Sequence, residues 1–247
     1  MKINIFKIVK DLFPIHRSIT GPGIKASMKY IENIVQEFKR IKFKSGTKVF
    51  DWLVPNEWII KDAYILDEKN KKHADFKKNN LHIVGYSISL NKKLSLEQLS
   101  KNLYSIPEQP NFIPYITSYY KKNWGFCLKH KDKKKLKKGL YHAVIKSKLF
   151  KGKMNYADLI IKGKQKREIV FSTYICHPSM ANNEVSGPIV ASGLAKYIKH
   201  KFKEPKYTYR FIFAPETIGA INYIKKNFKV LTEKVAAGFV LTCVGDE

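Results

Sequence analysis

His177 and Glu216 are the side chains best suited to joint chemistry. One is an imidazole of the kind Zn²⁺ prefers; the other is a carboxylate that can take a proton from a metal-bound water. Each follows a β-branched, aromatic run: "EIVFSTYIC" leads into His177, and "YTYRFIFA" leads into Pro215 and Glu216. A third run, "AAGFVLTCVG", is followed by Asp246, and the "ANNEVSG" loop after the first run adds Asn183 and Glu184. A lone histidine after a strand is also the usual form of a hydrogen-bonded turn residue, so the pattern leaves both readings of His177 open.

The elements that would position these residues alternate. "EIVFSTYIC" is nearly continuously apolar or β-branched, as in a strand covered on both faces. "GPIVASGLAKYIKHKF" repeats Val190, Leu194 and Ile198 at helical spacing, and "TIGAINYIKKNF" supplies the next helix. The order from about residue 158 is therefore β-α-β-α-β. Right-handed crossovers put strand-to-helix loops on one edge of a parallel sheet, the edge where open α/β sheets bind ligands. His177, Asn183, Glu216 and Asp246 converge there.

The earlier chain reads differently. Ile24, Met28, Ile31, Val35 and Phe38 recur as one face of a helix over residues 22–38, with Pro22 in its first turn. "HRSITG", with His16, Arg17 and Ser18, reads as a turn before it. Short β-like runs follow between about residues 45 and 156, interrupted by a helix whose capping box pairs Ser95 with Gln98. The expected organisation is an α/β domain of residues 1–50 and 150–247, with an inserted mainly β domain at 51–149.

Bulk properties narrow the classes. With 247 residues, 44% hydrophobic and 13% aromatic, the chain can bury a core, which excludes disorder. A net charge of +27 would attract nucleic acid, anionic glycans or an acidic membrane surface. The lysines are scattered, however, and the densest run, "KHKDKKKLKKG", reads as a solvated connection. No nucleic-acid motif accompanies the charge, so nucleic acid is not the expected partner. Three cysteines without a CxxC pair fit a reducing cytoplasm, Cys176 being read as a small packed residue. The first residues lack a signal-peptide pattern, and no apolar stretch reaches the roughly 18 residues of a membrane span.

Five stretches, "LFPIHRSITGPG", "SGTKVFDWLVPNEW", "PEQPNFIPYITSYYKKNWGFCL", "TYICHPSMANNEVSGP" and "PETIGAI", together resemble bacterial aminopeptidase-like domain proteins linked to surface polysaccharide gene clusters. These are similar in turn to the zinc aminopeptidase, glutaminyl cyclase and transferrin receptor superfamily. The resemblance implies a zinc-exopeptidase-like αβα sandwich with a mainly parallel sheet, interrupted by a mostly β insertion. It also implies zinc as cofactor and a peptide-like small substrate.

Carried over residue by residue, the resemblance makes His177 a metal ligand and Glu216 the general base. Asn183 falls where relatives read Asp in "ANDNLSG", the carboxylate that bridges two metals; Glu184 is the nearest carboxylate to stand in. Thr217 replaces a second glutamate ligand, and Thr242 replaces an aspartate ligand for which Asp246, four residues on, substitutes. A last ligand histidine and a helical, winged-helix-like region would follow residue 247. The resemblance thus implies a truncated chain whose bare sheet edge would favour a homo-oligomer. The matched ligands fall short of the three that zinc catalysis needs besides water. Three functions are therefore expected, in order: an aminopeptidase-like metallohydrolase, a non-catalytic scaffold for a glycan-pathway partner, and a binder of anionic polymers.

Overall fold

The structure, a computed structural model, describes residues 4–245. The chain folds as two compact units, Met1–Glu57 with Lys151–Glu247, and Trp58–Phe150.

The first unit opens with α1 (Ile5–Leu12), an element that no sequence pattern above predicts. Asn4 caps it by accepting a hydrogen bond from Lys7 N, and Ile8 and Leu12 are buried. Helix α2 (Pro22–Val35) buries Ile24, Met28, Ile31 and Val35 as the spacing predicts. It stops three residues short of residue 38 because Gln36 and Glu37 take positive φ, 56° and 50°, and turn the chain into β1 (Lys39–Lys44). Phe38 is buried all the same, against Phe213 at 5.1 Å between ring centroids. A small hairpin, β2 (Lys48–Val49) and β3 (Trp52–Leu53), follows.

The second unit contains β4 (Glu57–Leu66), β5 (Lys72–Asp75), β6 (Leu90–Ser95), α3 (Leu96–Ser100), β7 (Leu103–Tyr104), β8 (Phe126–Cys127), α4 (His130–Lys133) and β9 (Leu140–Phe150). Four of its strands form a sheet in the order β5-β4-β9-β6. The capping box at α3 is present, with Ser95 and Gln98 each bonding the other's backbone N–H. Trp58 stacks on Tyr86 at 5.6 Å and donates from Nε1 to Ser87 O, so the largest apolar side chain also satisfies its one donor. The lysine run begins with α4, and none of its residues is buried.

The chain then returns to the first unit through β10 (Lys153–Ile161), β11 (Glu168–Tyr174), α5 (Gly187–Lys201), β12 (Thr208–Ala214), α6 (Ile218–Lys234) and β13 (Val235–Val240). The sheet order is β1-β10-β12-β11-β13. Strand β11 runs parallel to both β12 and β13, so the expected β-α-β-α-β crossover is present. The sheet is nevertheless mixed, because β10 is antiparallel to β12 and β1 is antiparallel to β10. The connection at 162–167 holds no helix, so β10 cannot enter by a crossover and runs against its neighbours.

Helices cover both faces. Tyr156 packs edge-on against Tyr223 of α6, while its neighbour Asn155 faces a cavity shared with Met28 of α2. Adjacent strand residues point to opposite faces, so α2 and α6 form separate layers. Between them Phe171 stacks on Phe211 and on Phe239, at 5.1 and 5.3 Å. Buried charges in the sheet are bonded: Glu168 accepts two bonds from Arg210, and Tyr223 donates to Asp158. Strand β13 forms the sheet's edge among the described residues, and leaves Phe239 and Val240 52% and 71% exposed.

Candidate active site around His177

The site is assembled where β11 and β12 end. Ile175 N still donates to Ala214 O, after which Cys176 and His177 leave the sheet. The chain passes Ser179 at φ 52° and enters a π turn, Asn182–Ser186, in which Val185 N and Ser186 N share Ala181 O. A wide turn of this kind changes where consecutive side chains point. Gly187, next in line, permits it: a Cβ there would lie 2.2 Å from Leu241 O and 2.4 Å from Thr173 Oγ1.

The result is a buried carboxylate behind the histidine. Glu184 is fully buried, with Oε1 2.7 Å from His177 Nδ1 and Oε2 accepting from Cys176 N. On the other side of the ring, Nε2 lies 3.2 Å from Glu216 Oε2. Both imidazole nitrogens therefore face carboxylate oxygens. Asn183 also reaches the ring, with Oδ1 3.4 Å from Nδ1, while its Nδ2 donates to Tyr174 OH. The Tyr174 hydroxyl is in turn hydrogen-bonded to that of Thr242.

Three features fix the pair. Arg17, almost wholly buried, donates from Nε to His177 O at 3.0 Å and from Nη1 to Leu12 O, tying the loop to the end of α1. Thr217 adopts φ 55°, ψ −79°, a strained turn for a β-branched residue, at the start of α6 immediately after Glu216. Glu216 N donates to Cys176 Sγ at 3.3 Å, which binds the two loops together.

Burial alone would push the His177 pKa down, but the hydrogen bond and charge of Glu184, reinforced by the charge of Glu216, outweigh it and hold it above the ordinary value. Burial, with the Glu184 charge, pushes the Cys176 thiol well up, so it is neutral. Burial likewise lowers the Arg17 pKa, opposed by the charge of Glu184.

The geometry brings His177, Asn183 and Glu216 together; Asp246 lies outside the described residues. Two residues matter more here than the sequence suggests. Glu184 reads there only as a stand-in, because its direction depends on the π turn. Arg17 reads as part of a turn, and only its position beside the first apolar helix hints at burial.

Zinc can be tested against this donor set. Cys176 Sγ, a His177 nitrogen and a Glu184 oxygen lie within 4.8 Å of one another. As arranged, however, Glu184 Oε1 lies only 2.7 Å from Nδ1, closer than two ligands of one zinc ion stand, and Oε2 accepts from Cys176 N. On the Nε2 side Glu216 stands opposite the ring at 3.2 Å. In this arrangement the Glu184 hydrogen bonds occupy the place an ion would take at Nδ1, so the described residues as placed do not fit the metal.

Helices on both faces of a mixed sheet, with polar loops gathered at the carboxyl ends of its parallel strands, make this an aminopeptidase-type fold. The zinc aminopeptidase of Bacillus subtilis matches it with a TM-score of 0.65 at 13% identity, over 99% of this chain and 70% of that one, a likeness of fold alone. Residues 6–247 match the family described as "Domain of unknown function (DUF4910)", and the chain belongs to that family.

A Clostridium acetobutylicum relative named "Putative polysaccharide biosynthesis protein with aminopeptidase-like domain" is 46% identical over 244 residues, 98% of this chain and 55% of the relative. A solved chain described as a "putative peptidase" from the same organism is 45% identical with a TM-score of 0.93, over 98% of this chain and 56% of that chain. The chain thus spans little more than half the length of either.

Proposed function

We propose that this chain forms an aminopeptidase-like domain that binds a peptide-like amide at the His177–Glu216 edge, in the service of surface polysaccharide biosynthesis, without zinc-dependent cleavage. The residue 51–149 stretch is read as its inserted domain. The observation that carries this reading is the engagement of both His177 nitrogens by Glu184 and Glu216. Glu184 holds Nδ1 from within, so the imidazole has a fixed orientation, and the two carboxylates favour its protonated form. Glu216 is 46% exposed and presents its free lone pairs to an incoming amide N–H. The name of the Clostridium relative supports the pathway.

A direct test is titration of leucine amide into isotope-labelled protein, followed by NMR, with zinc content measured in parallel. The expected result is perturbation of the Cys176, His177 and Glu216 amide signals, no release of ammonia and substoichiometric zinc. Zinc-dependent ammonia release that Glu216→Ala abolishes would overturn it.

One observation favours a second reading, a metallohydrolase. Cys176 Sγ, a His177 nitrogen and a Glu184 oxygen lie within 4.8 Å of one another, with Glu216 beside them as the base. That reading needs Asp246 as a further ligand. Zinc near one equivalent, lost in His177→Ala, selects it.

A further inference from the structure

A second constellation lies in the same compact unit, on the α2 face of the sheet. Lys25, Met28, Arg40, Lys42, Lys153 and Asn155 line a cavity of about 440 Å³. Strand register explains the gathering. Lys42 pairs with Asn155 and Lys44 with Lys153 across β1 and β10, and Arg40 lies two residues from Lys42, so their side chains share the face that α2 covers. Because Ala157 pairs with Phe213, Asn155 and Lys153 stand level with the chain beyond the end of β12, on the rim that carries Glu216.

Four cations around one cavity repel unless countered. Two are countered: Lys25 by the buried Glu57 at 2.5 Å, and Arg40 by Glu32 at 3.2 Å. Glu57 is itself fixed, since its other oxygen accepts from Lys153 N at 2.9 Å and Gly152 leaves it room. Lys42 and Lys153 have no acidic partner among the described residues. Two positive charges remain without counter-charge, which matches a phosphate monoester near neutral pH. Asn155 supplies a neutral polar group, and the fully buried Met28 lies beneath the cavity floor. The volume exceeds what phosphate alone fills and lies in the range of small-molecule sites.

We propose that this cavity binds a phosphate-bearing small molecule such as a sugar phosphate, its phosphate held by Lys42, Lys153 and the free donors of Arg40, with the organic part beside Asn155. The site is independent of the reading of His177.

Calorimetric titration at 150 mM salt tests it, using glucose 1-phosphate, inorganic phosphate and glucuronate as probes. Glucose 1-phosphate is expected to bind one to one, tighter than inorganic phosphate and at least tenfold tighter than the singly charged glucuronate. K42A/K153A is expected to weaken it at least tenfold, and K42Q/K153Q, which retains most of each stem, equally. K131A/K134A, in the exposed lysine run, serves as the control for the general +27 charge and is expected to change affinity less than twofold. Absence of saturable binding, an equal loss in K131A/K134A, or glucuronate binding as tightly as the phosphate ester would each overturn the proposal.

Discussion

Glu184 lies 2.7 Å from Nδ1 of His177, while Asn183, its neighbour in the chain, spends its amide N–H on Tyr174. The loop thus presents an amide at position 183 and a carboxylate one residue later, turned inward to hold the histidine.

That contact predicts a stability profile with two slopes. His177 titrates above 6.5 in the folded chain, so its contribution is complete below pH 6.5 and is lost as pH rises through the folded value. His16 has the opposite sign. Burial, with Arg17 beside it, pushes it down to about 4, so its contribution is complete above 6.5 and is lost as pH falls toward 4. Denaturant midpoints across pH 4 to 9 should peak near 6.5; His177→Gln should flatten the alkaline side, and His16→Gln the acid side.

Glu184→Ala leaves Cys176 N–H and Nδ1 buried without their acceptor. Loss of a buried charged partner of this kind costs about 3 kcal/mol or more. Urea unfolding should show that loss, and the NMR titration midpoint of His177 should fall.

Asn183→Asp places a negative charge near Nδ1, where Oδ1 now sits at 3.4 Å. Zinc affinity, read by calorimetry, is expected to rise at least tenfold. An unchanged affinity would remove position 183 from the ligand set.

Gly187→Ala drives a methyl group into Leu241 O and Thr173 Oγ1. Overpacking against fixed backbone costs about 2 kcal/mol. Because the same close approach shapes the π turn, the His177 midpoint should shift along with the melting temperature.

The three parallel strands and their crossovers were legible because each element carries a strong pattern of its own: a continuous apolar run in β11, helical spacing in α5. The convergence of His177 and Glu216 followed from that order. What escaped was set by tertiary packing. The π turn depends on the approach of Gly187 to Leu241, and no local feature of Asn-Asn-Glu-Val-Ser announces it. Helix α1 has only eight residues, with Phe6 81% exposed, and is held by packing rather than by a long periodic face. Thr217 takes a backbone conformation that its β-branched side chain disfavours, so propensity pointed the wrong way there. The antiparallel course of β1 and β10 depends on which strands become neighbours, information that a strand's own residues do not hold.

Strand β13 has a consequence for how the molecule behaves in solution. Among the described residues no strand lies beside its outer backbone row, which Phe239 and Val240 flank, and a row of that kind can pair with another extended segment. Chains carrying +27 each repel one another, and dissolved ions shorten the reach of that repulsion to about 8 Å at physiological ionic strength. Colloidal behaviour should therefore invert the usual habit of basic proteins: clear at low salt, clouding as salt is added.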